Sequence, residues 1–330
     1  MRRSNLDTLQ NTVTKTLICS SRHQQAWSKY HTMSKINSVG VLGFGEVGQA
    51  IAEASYNVGD DVYVYNRSRK DSLVESPYSV AHSPAEVGAE CELVISCVWP
   101  ASAFDIAKET AEGFNSSRES WFYNLNSVSP GTALRMENEI SDSDCTFLNG
   151  AIHGSVKKMG TDVKLTLAGQ NCEIIAGHME ELGFTIDYMG EDVTRPSALK
   201  MCRSIFAKGL RELFVETFLP AMKYGLEDEV MQDLSSVFEN RTFDTWMERL
   251  ITDTPTHAER RYGESIEMRE TAHNVGCRSP ITEATIDLHR VIYEEGIQGN
   301  TYKEILDQLY PHFTTEEASA KSQIGLNKEN

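Results

Sequence analysis

The run Val39-Gly40-Val41-Leu42-Gly43-Phe44-Gly45-Glu46-Val47-Gly48-Gln49-Ala50 places three glycines at G-x-G-x-x-G spacing directly behind an apolar segment. Gly43 permits a tight turn, Gly45 lets the backbone approach a pyrophosphate, and Gly48 lets the following helix pack on the strand. The first helical amides, around Phe44, Glu46 and Val47, then face the phosphates. A glycine turn with a purely structural role is the alternative. The strand before the run, the helix after it and a second strand on schedule favour dinucleotide binding. That second strand ends Tyr65-Asn66-Arg67-Ser68, where an acid would normally accept hydrogen bonds from the adenosine ribose. No carboxylate is there. Arg67 and Ser68 suit a 2′-phosphate instead, with the guanidinium free to stack on adenine, so NADP(H) is expected over NAD(H).

Hydride transfer at a carbinol carbon needs one acid/base opposite the nicotinamide. Lys200 stands among Ala198, Leu199, Met201, Cys202, Ile205 and Phe206, surroundings that would disfavour its charged form, although a snorkelling surface lysine fits the same pattern. His153, near Gly150, Gly154 and Gly160, reads as a loop residue following a strand. It is a candidate second acid/base or substrate contact, against a structural role. Arg203, one turn beyond Lys200, and Arg195 are candidates to clamp a carboxylate, against solvated helix charges. Arg260 and Arg261, followed by Glu264, Glu267 and Glu270, read as a helical ion-pair face or a subunit contact.

These residues need elements to carry them. Strands are expected at Val39–Leu42, Val62–Tyr65, Leu93–Val98, Trp121–Leu125, Thr146–Leu148, Val163–Ala168 and Thr185–Tyr188, with helices from Glu46 and over Pro84–Val87, Ala101–Ala111 and Ala133–Ile140. The alternation is that of βαβ units around a parallel sheet covered on both faces. From Arg195 to Lys223 apolar residues recur at i+3 and i+4, and helices are expected at Glu227–Phe238, Phe243–Leu250, His257–Val275, Pro280–Glu294 and Tyr302–Leu309. The fold class is therefore α/β, a doubly wound Rossmann domain over residues 36–192 followed by an all-helical domain over 193–330.

The 330 residues carry a formal charge of −17. Residues 1–35 hold six bases and one acid, a surplus of five that leaves −22 for the rest. So acidic a body repels a phosphate backbone, which argues against nucleic acid as a partner, and no apolar stretch is long enough to span a bilayer. The basic opening segment, residues 1–35, reads as a disordered extension with a weak transit-peptide pattern; a cytoplasmic address is expected, or a mitochondrial one if residues 1–32 act as a transit peptide. Seven scattered cysteines without a C-x-x-C pair indicate reduced thiols and no metal site, with Cys97 and Cys202 as small buried hydrophobes.

On the glycine run and Asn66-Arg67-Ser68, the chain resembles the β-hydroxyacid dehydrogenases related to 6-phosphogluconate dehydrogenase. Val94-Ile95-Ser96-Cys97-Val98-Trp99-Pro100 is similar to the family's fourth strand and its loop over the cofactor. Asn126-Ser127-Val128-Ser129-Pro130 is similar to its turn near the nicotinamide. The resemblance implies cofactor contacts from Val98, Trp99 and Asn126, and substrate contacts from Ser127, His153, Gly154 and Ser155. It also implies that Lys200 is the catalytic lysine and that the protein is a homodimer. The chain departs from the family in carrying His153-Gly154-Ser155 for Ser-Gly-Gly, and in lacking the Asn or His-Asn after the lysine. The activity implied is NADP(H)-dependent oxidoreduction of a small hydroxy acid, semialdehyde or keto acid. The alternatives are an imine reductase and a non-catalytic NADP(H) sensor.

Overall fold

A computed structural model describes residues 35–68, 71–237 and 242–314. Arg69, Lys70 and the whole expected transit-peptide segment lie outside the described residues. Contacts divide the chain into two compact units, one ending at Ile205 and the other beginning at Phe206.

The first unit holds strands β1 (Ser38–Leu42), β2 (Asp61–Tyr65), β3 (Ser79–Val80), β4 (Leu93–Ser96), β5 (Trp121–Asn124), β6 (Thr146–His153), β7 (Lys164–Ala168) and β8 (Thr185–Tyr188). Its helices are α1 (Glu46–Val58), α2 (Asp71–Val74), α3 (Pro84–Glu90), α4 (Ala103–Ala111), α5 (Pro130–Ser141), α6 (Val156–Met159) and α7 (Glu173–Glu181). The strand order is β3-β2-β1-β4-β5-β6-β7-β8, whose first six strands follow the Rossmann order. Side chains alternate between two buried layers: Val39, Val41, Leu93, Ile95 and Tyr123 enter one, Leu42, Val94 and Phe122 the other. That is why the central strands are apolar throughout.

Local sequence sets the helix ends. α1 buries Gly48, Ile51, Ala52 and Ser55 along one stripe and stops at Gly59, whose φ of 94° lets its N–H return to Ser55 and Tyr56. Ser83 and Ser129 cap α3 and α5 by accepting from Glu86 and Thr132 backbone N–H, each with proline next in line.

The sheet is parallel as expected except at one pairing, β6 with β7, which is antiparallel, Asn149 opposite Ala168 through His153 opposite Lys164. Only residues 154–163 join them, and a parallel return needs a crossover of roughly a dozen residues or more. β6 is also longer than expected, so His153 is its last residue and not a loop position. Neither β3 nor α7 was expected; β3 is two residues long, and α7 lies in a stretch whose glycines, Gly169, Gly177 and Gly183, mask its periodicity.

α8 (Thr194–Tyr224) is a 31-residue helix that begins in the first unit and runs into the second. The second unit continues with α9 (Glu227–Val237), α10 (Phe243–Thr256), α11 (Ala258–Asn274), α12 (Pro280–Glu294) and α13 (Tyr302–Leu309). Ile292, Ile297, Ile305 and Leu309 form its apolar centre. Both oxygens of Glu216 accept backbone N–H groups at the start of α12, from Thr282 and Ile281, each at 2.7 Å. A carboxylate there satisfies orphan amides and complements the helix dipole. The expected ion-pair face is present in Arg260–Glu264 at 2.7 Å, while Arg269 pairs with Glu270 and Glu283.

Candidate functional site

A cleft of about 520 Å³ opens where β1 and β4 end, at the point where the strand order reverses. Gly43, Phe44, Gly45, Asn66, Arg67, Ser68, Val98 and Trp99 line it, so eight of the residues marked as cofactor contacts meet in one place. Glu46, Val47 and Gly48 follow on α1. Gly43 sits at φ +97° with Cys97 O only 2.8 Å from where a Cβ would stand, and a Cβ on Gly48 would lie 1.9 Å from Gly43 O. Gly45 is different: nothing lies within 4 Å of its Cβ position. Two glycines are thus required by the protein's own packing, and the third faces space that a phosphate group fits.

The adenosine end is tied to the glycine loop. Asn66 Oδ1 accepts the Phe44 N–H at 3.0 Å and its amide donates to Ser68 O, which holds the β2 turn against the loop. Arg67 extends a guanidinium N–H to Ser102 Oγ at 3.2 Å, leaving its other donors open to an anion. Trp99 is 84% exposed at the rim. Glu46 reaches Lys157 at 3.8 Å across solvent, a pairing of little energetic weight. The set offers an open backbone approach at Gly45 and a cation at Arg67, groups suited to the phosphates of a dinucleotide.

A second cluster forms at the far end of β6. Lys200 is half-buried and its amine donates to Ile152 O. Burial first, then the neighbouring Arg203, hold its pKa below the ordinary lysine value. His153 is pushed down as well, by burial and then by Lys200, Arg203 and Lys164, and its Nε2 is buried without a hydrogen-bond partner. Lys200, His153 and Arg203 are therefore brought together. The source of the low-dielectric surroundings differs from expectation. Leu199, Ile205 and Phe206 are exposed, Ile205 at 75%, and Cys202 is exposed rather than buried. The carbonyl at the end of β6 lies against the amine, while these flanking helix residues face solvent. Cys97 is the small packing residue expected: its thiol donates to Leu42 O and Gly43 O, and burial pushes its pKa up to about 12.

Asn126 is 4% exposed and donates to Ser96 Oγ at 2.9 Å and Asn124 Oδ1 at 2.7 Å, while its own Oδ1 has no partner. A buried acceptor left open suits an amide N–H from a bound group. Ser127, Gly154 and Ser155 are exposed, and none of them, nor Lys200, His153, Arg203 or Asn126, lines the cleft described above. Gly154 adopts φ +148° at the turn out of β6. Sequence reasoning missed Tyr65, Cys97, Pro100, Ser102 and Ile106 as cleft residues. The signal for Ser102 was weak, a lone serine after Trp99-Pro100, and its contact with Arg67 spans 35 residues of chain.

Residues 38–183 match the family model described as the NAD binding domain of 6-phosphogluconate dehydrogenase, and residues 221–292 match a domain of unknown function, DUF1932. The chain is similar to glyoxylate/succinic semialdehyde reductase 2, chloroplastic, of Arabidopsis thaliana, 26% identical over 82% of this chain and 79% of that one. Among solved structures, the conserved protein MTH1747, described as structurally similar to 3-hydroxyacid dehydrogenases, is 27% identical with a TM-score of 0.51, covering 78% of this chain and 99% of that one. A reductive aminase from Aspergillus terreus, solved with NADPH and ethyl levulinate, has a TM-score of 0.65 at 17% identity over 84% of this chain and 100% of its own. At that identity the likeness is one of fold.

Proposed function

Starting from a chain that is an NAD(P)-dependent oxidoreductase of the 6-phosphogluconate dehydrogenase-like kind, we propose that it uses NADP(H) and acts on a small hydroxy acid, semialdehyde or keto acid, with Lys200 as acid/base. The observation that carries the reading is Lys200 itself, a half-buried amine held at Ile152 O beside His153 with a lowered pKa. The cofactor, when bound, supplies or accepts the hydride at its nicotinamide. Gly43, Gly45 and the α1 amides would hold the pyrophosphate, Arg67, Ser68 and Ser102 would hold the 2′-phosphate, and Asn126 Oδ1 would accept an N–H from the nicotinamide end. In carbonyl reduction the Lys200 ammonium gives its proton to the substrate oxygen; in alcohol oxidation the neutral amine takes it. His153 and Arg203 add a hydrogen-bond donor and a positive charge for the substrate's carboxylate.

The named activity of the Arabidopsis relative supports the aldehyde and keto acid class. The test is a screen of purified protein following NADPH absorbance against glyoxylate, semialdehydes, keto acids and cyclic imines. Turnover confined to imines would replace this reading by imine reduction. Tight NADPH binding with no turnover would replace it by a nucleotide sensor. Lys200→Ala is expected to lower kcat by roughly 10²- to 10⁴-fold with NADPH affinity nearly intact. Delivery to the mitochondrion by residues 1–32, against a cytoplasmic address, is tested by fusing that segment to a fluorescent reporter. Among the described residues no helix is long and apolar enough to cross a membrane.

A further inference from the structure

A line of buried side-chain amides runs from the cofactor side of the sheet to the first turn of α8. Asn126 Nδ2 donates to Asn124 Oδ1, Asn124 Nδ2 donates to Asn149 Oδ1 at 2.6 Å, and Asn149 Nδ2 donates to Val193 O at 2.6 Å and Ser197 Oγ at 2.9 Å. Asn124 and Asn149 are fully buried and Ser197 is 2% exposed. The orientation of the line is forced from both ends. Val193 O can only accept, so Asn149 must turn its NH₂ to it and its oxygen to Asn124. The Asn126 backbone N–H, 3.2 Å from Asn124 Oδ1, can only donate, so Asn124 must turn its oxygen that way and its NH₂ toward Asn149. The two demands agree, and a single arrangement satisfies every amide between them. Ser197 lies three residues before Lys200, on the same side of the helix.

We propose that Asn149, backed by Asn124, is a positioning residue that pins the first turn of α8 to β6 and thereby keeps the Lys200 amine at Ile152 O beside His153. No other side chain on β6 hydrogen-bonds to α8 among the described residues. Arg203 on α8 is the charged group that acts on the amine, and His153 on β6, beside it, also faces Arg203, Lys164 on β7 and Asp187 on β8. Burial is the leading cause of the low Lys200 pKa. Releasing the first turn of α8 admits water to the amine and lets its pKa climb back toward 10.5, the ordinary lysine value. The consequence for turnover rests on the acid/base reading of Lys200; the placement itself does not.

The experiment uses the full-length, cofactor-free protein. The rate at which Lys200 is acylated by a small amine-reactive ester is measured against pH, with the Lys200 peptide quantified by mass spectrometry. Asn149→Ala is expected to raise the labelling midpoint by about one pH unit, a shift of the size that rehydrating a half-buried amine brings, and Ser197→Ala by a smaller amount in the same direction. Tyr123→Phe is the control: it removes a buried hydrogen bond to Thr166 O, 2.7 Å long, from the neighbouring strands without touching α8. It is expected to lower Tm while leaving the midpoint in place. The proposal is overturned if Ser197→Ala and any folded Asn149→Ala protein keep the wild-type midpoint, or if Tyr123→Phe shifts it equally. Should Asn149→Ala not fold, Ser197→Ala decides. A shifted midpoint in a protein that turns over no carbonyl or imine would uphold the positioning role and reject the proposed function.

Discussion

On the reading proposed here, Arg67 is the residue that selects NADP(H) over NAD(H). Its guanidinium reaches Ser102 Oγ, and its neighbour at the end of β2, Asn66, is occupied by the Phe44 N–H. Arg67→Ala is expected to weaken NADPH by roughly tenfold to a hundredfold, the loss typical of charge-assisted hydrogen bonds, and NADH by less than about threefold. Fluorescence titration with both nucleotides measures this, and equal losses would place the 2′-phosphate elsewhere. At Lys200 the lowered pKa fixes the sign of a pH effect. With Lys200 as the proposed proton donor, reduction needs the ammonium, so kcat is expected to fall as pH rises through that pKa, at a pH below the ordinary lysine range. Oxidation needs the amine, so its rate rises through the same pKa. A reductive rate that stays flat until the ordinary lysine range is reached would rule out a desolvated Lys200 as the proton donor.

Within one element, the junction of β1 and α1, two glycines of one motif separate by what surrounds them. A Cβ at Gly48 would meet Gly43 O at 1.9 Å, whereas one at Gly45 would meet nothing within 4 Å. Gly48→Ala must push the helix off the strand and is expected to lower Tm by several degrees, an overpacking cost of about 1–3 kcal/mol. Gly45→Ala is expected to leave Tm unchanged yet to lose NADPH binding by at least tenfold, because its methyl group takes the space of the pyrophosphate. Thermal melts with and without NADPH distinguish the two. This junction was legible in sequence because a turn, its glycines and its helix are contiguous. The antiparallel β7 was not, because strand direction is fixed by the length of the β6–β7 link and not by the apolar pattern of either strand.

At the scale of the whole molecule, the helical part of the chain leaves apolar side chains uncovered on α8 and α9. Phe214, Val215, Leu219, Met222 and Met231 are all more than 40% exposed, a concentration that a lone soluble chain rarely presents. We expect a second copy to cover them, giving a homodimer. Sedimentation equilibrium on the 36.9 kDa chain measures this directly. Val215→Asp together with Met222→Asp is expected to shift the mass from two chains to one, and a wild-type monomer at micromolar concentration would reject the dimer.

The sequence by itself determined the Rossmann unit, the dinucleotide site, the missing carboxylate at the end of β2 and the long helix that bears Lys200. All of these depend on residues adjacent in the chain or on a periodicity that local backbone geometry enforces. Only the tertiary structure decided that His153 ends a strand and that Ser102 meets Arg67. It also decided that the Lys200 amine meets Ile152 O on β6, and that Asn126, Asn124, Asn149 and Ser197 form one line. The Ser102–Arg67, Lys200–Ile152, Asn124–Asn149 and Asn149–Ser197 contacts each span 25 residues or more and are set by which elements lie side by side. The asparagines of that line are ordinary polar residues until the sheet stacks them and removes water, after which every donor must find its acceptor.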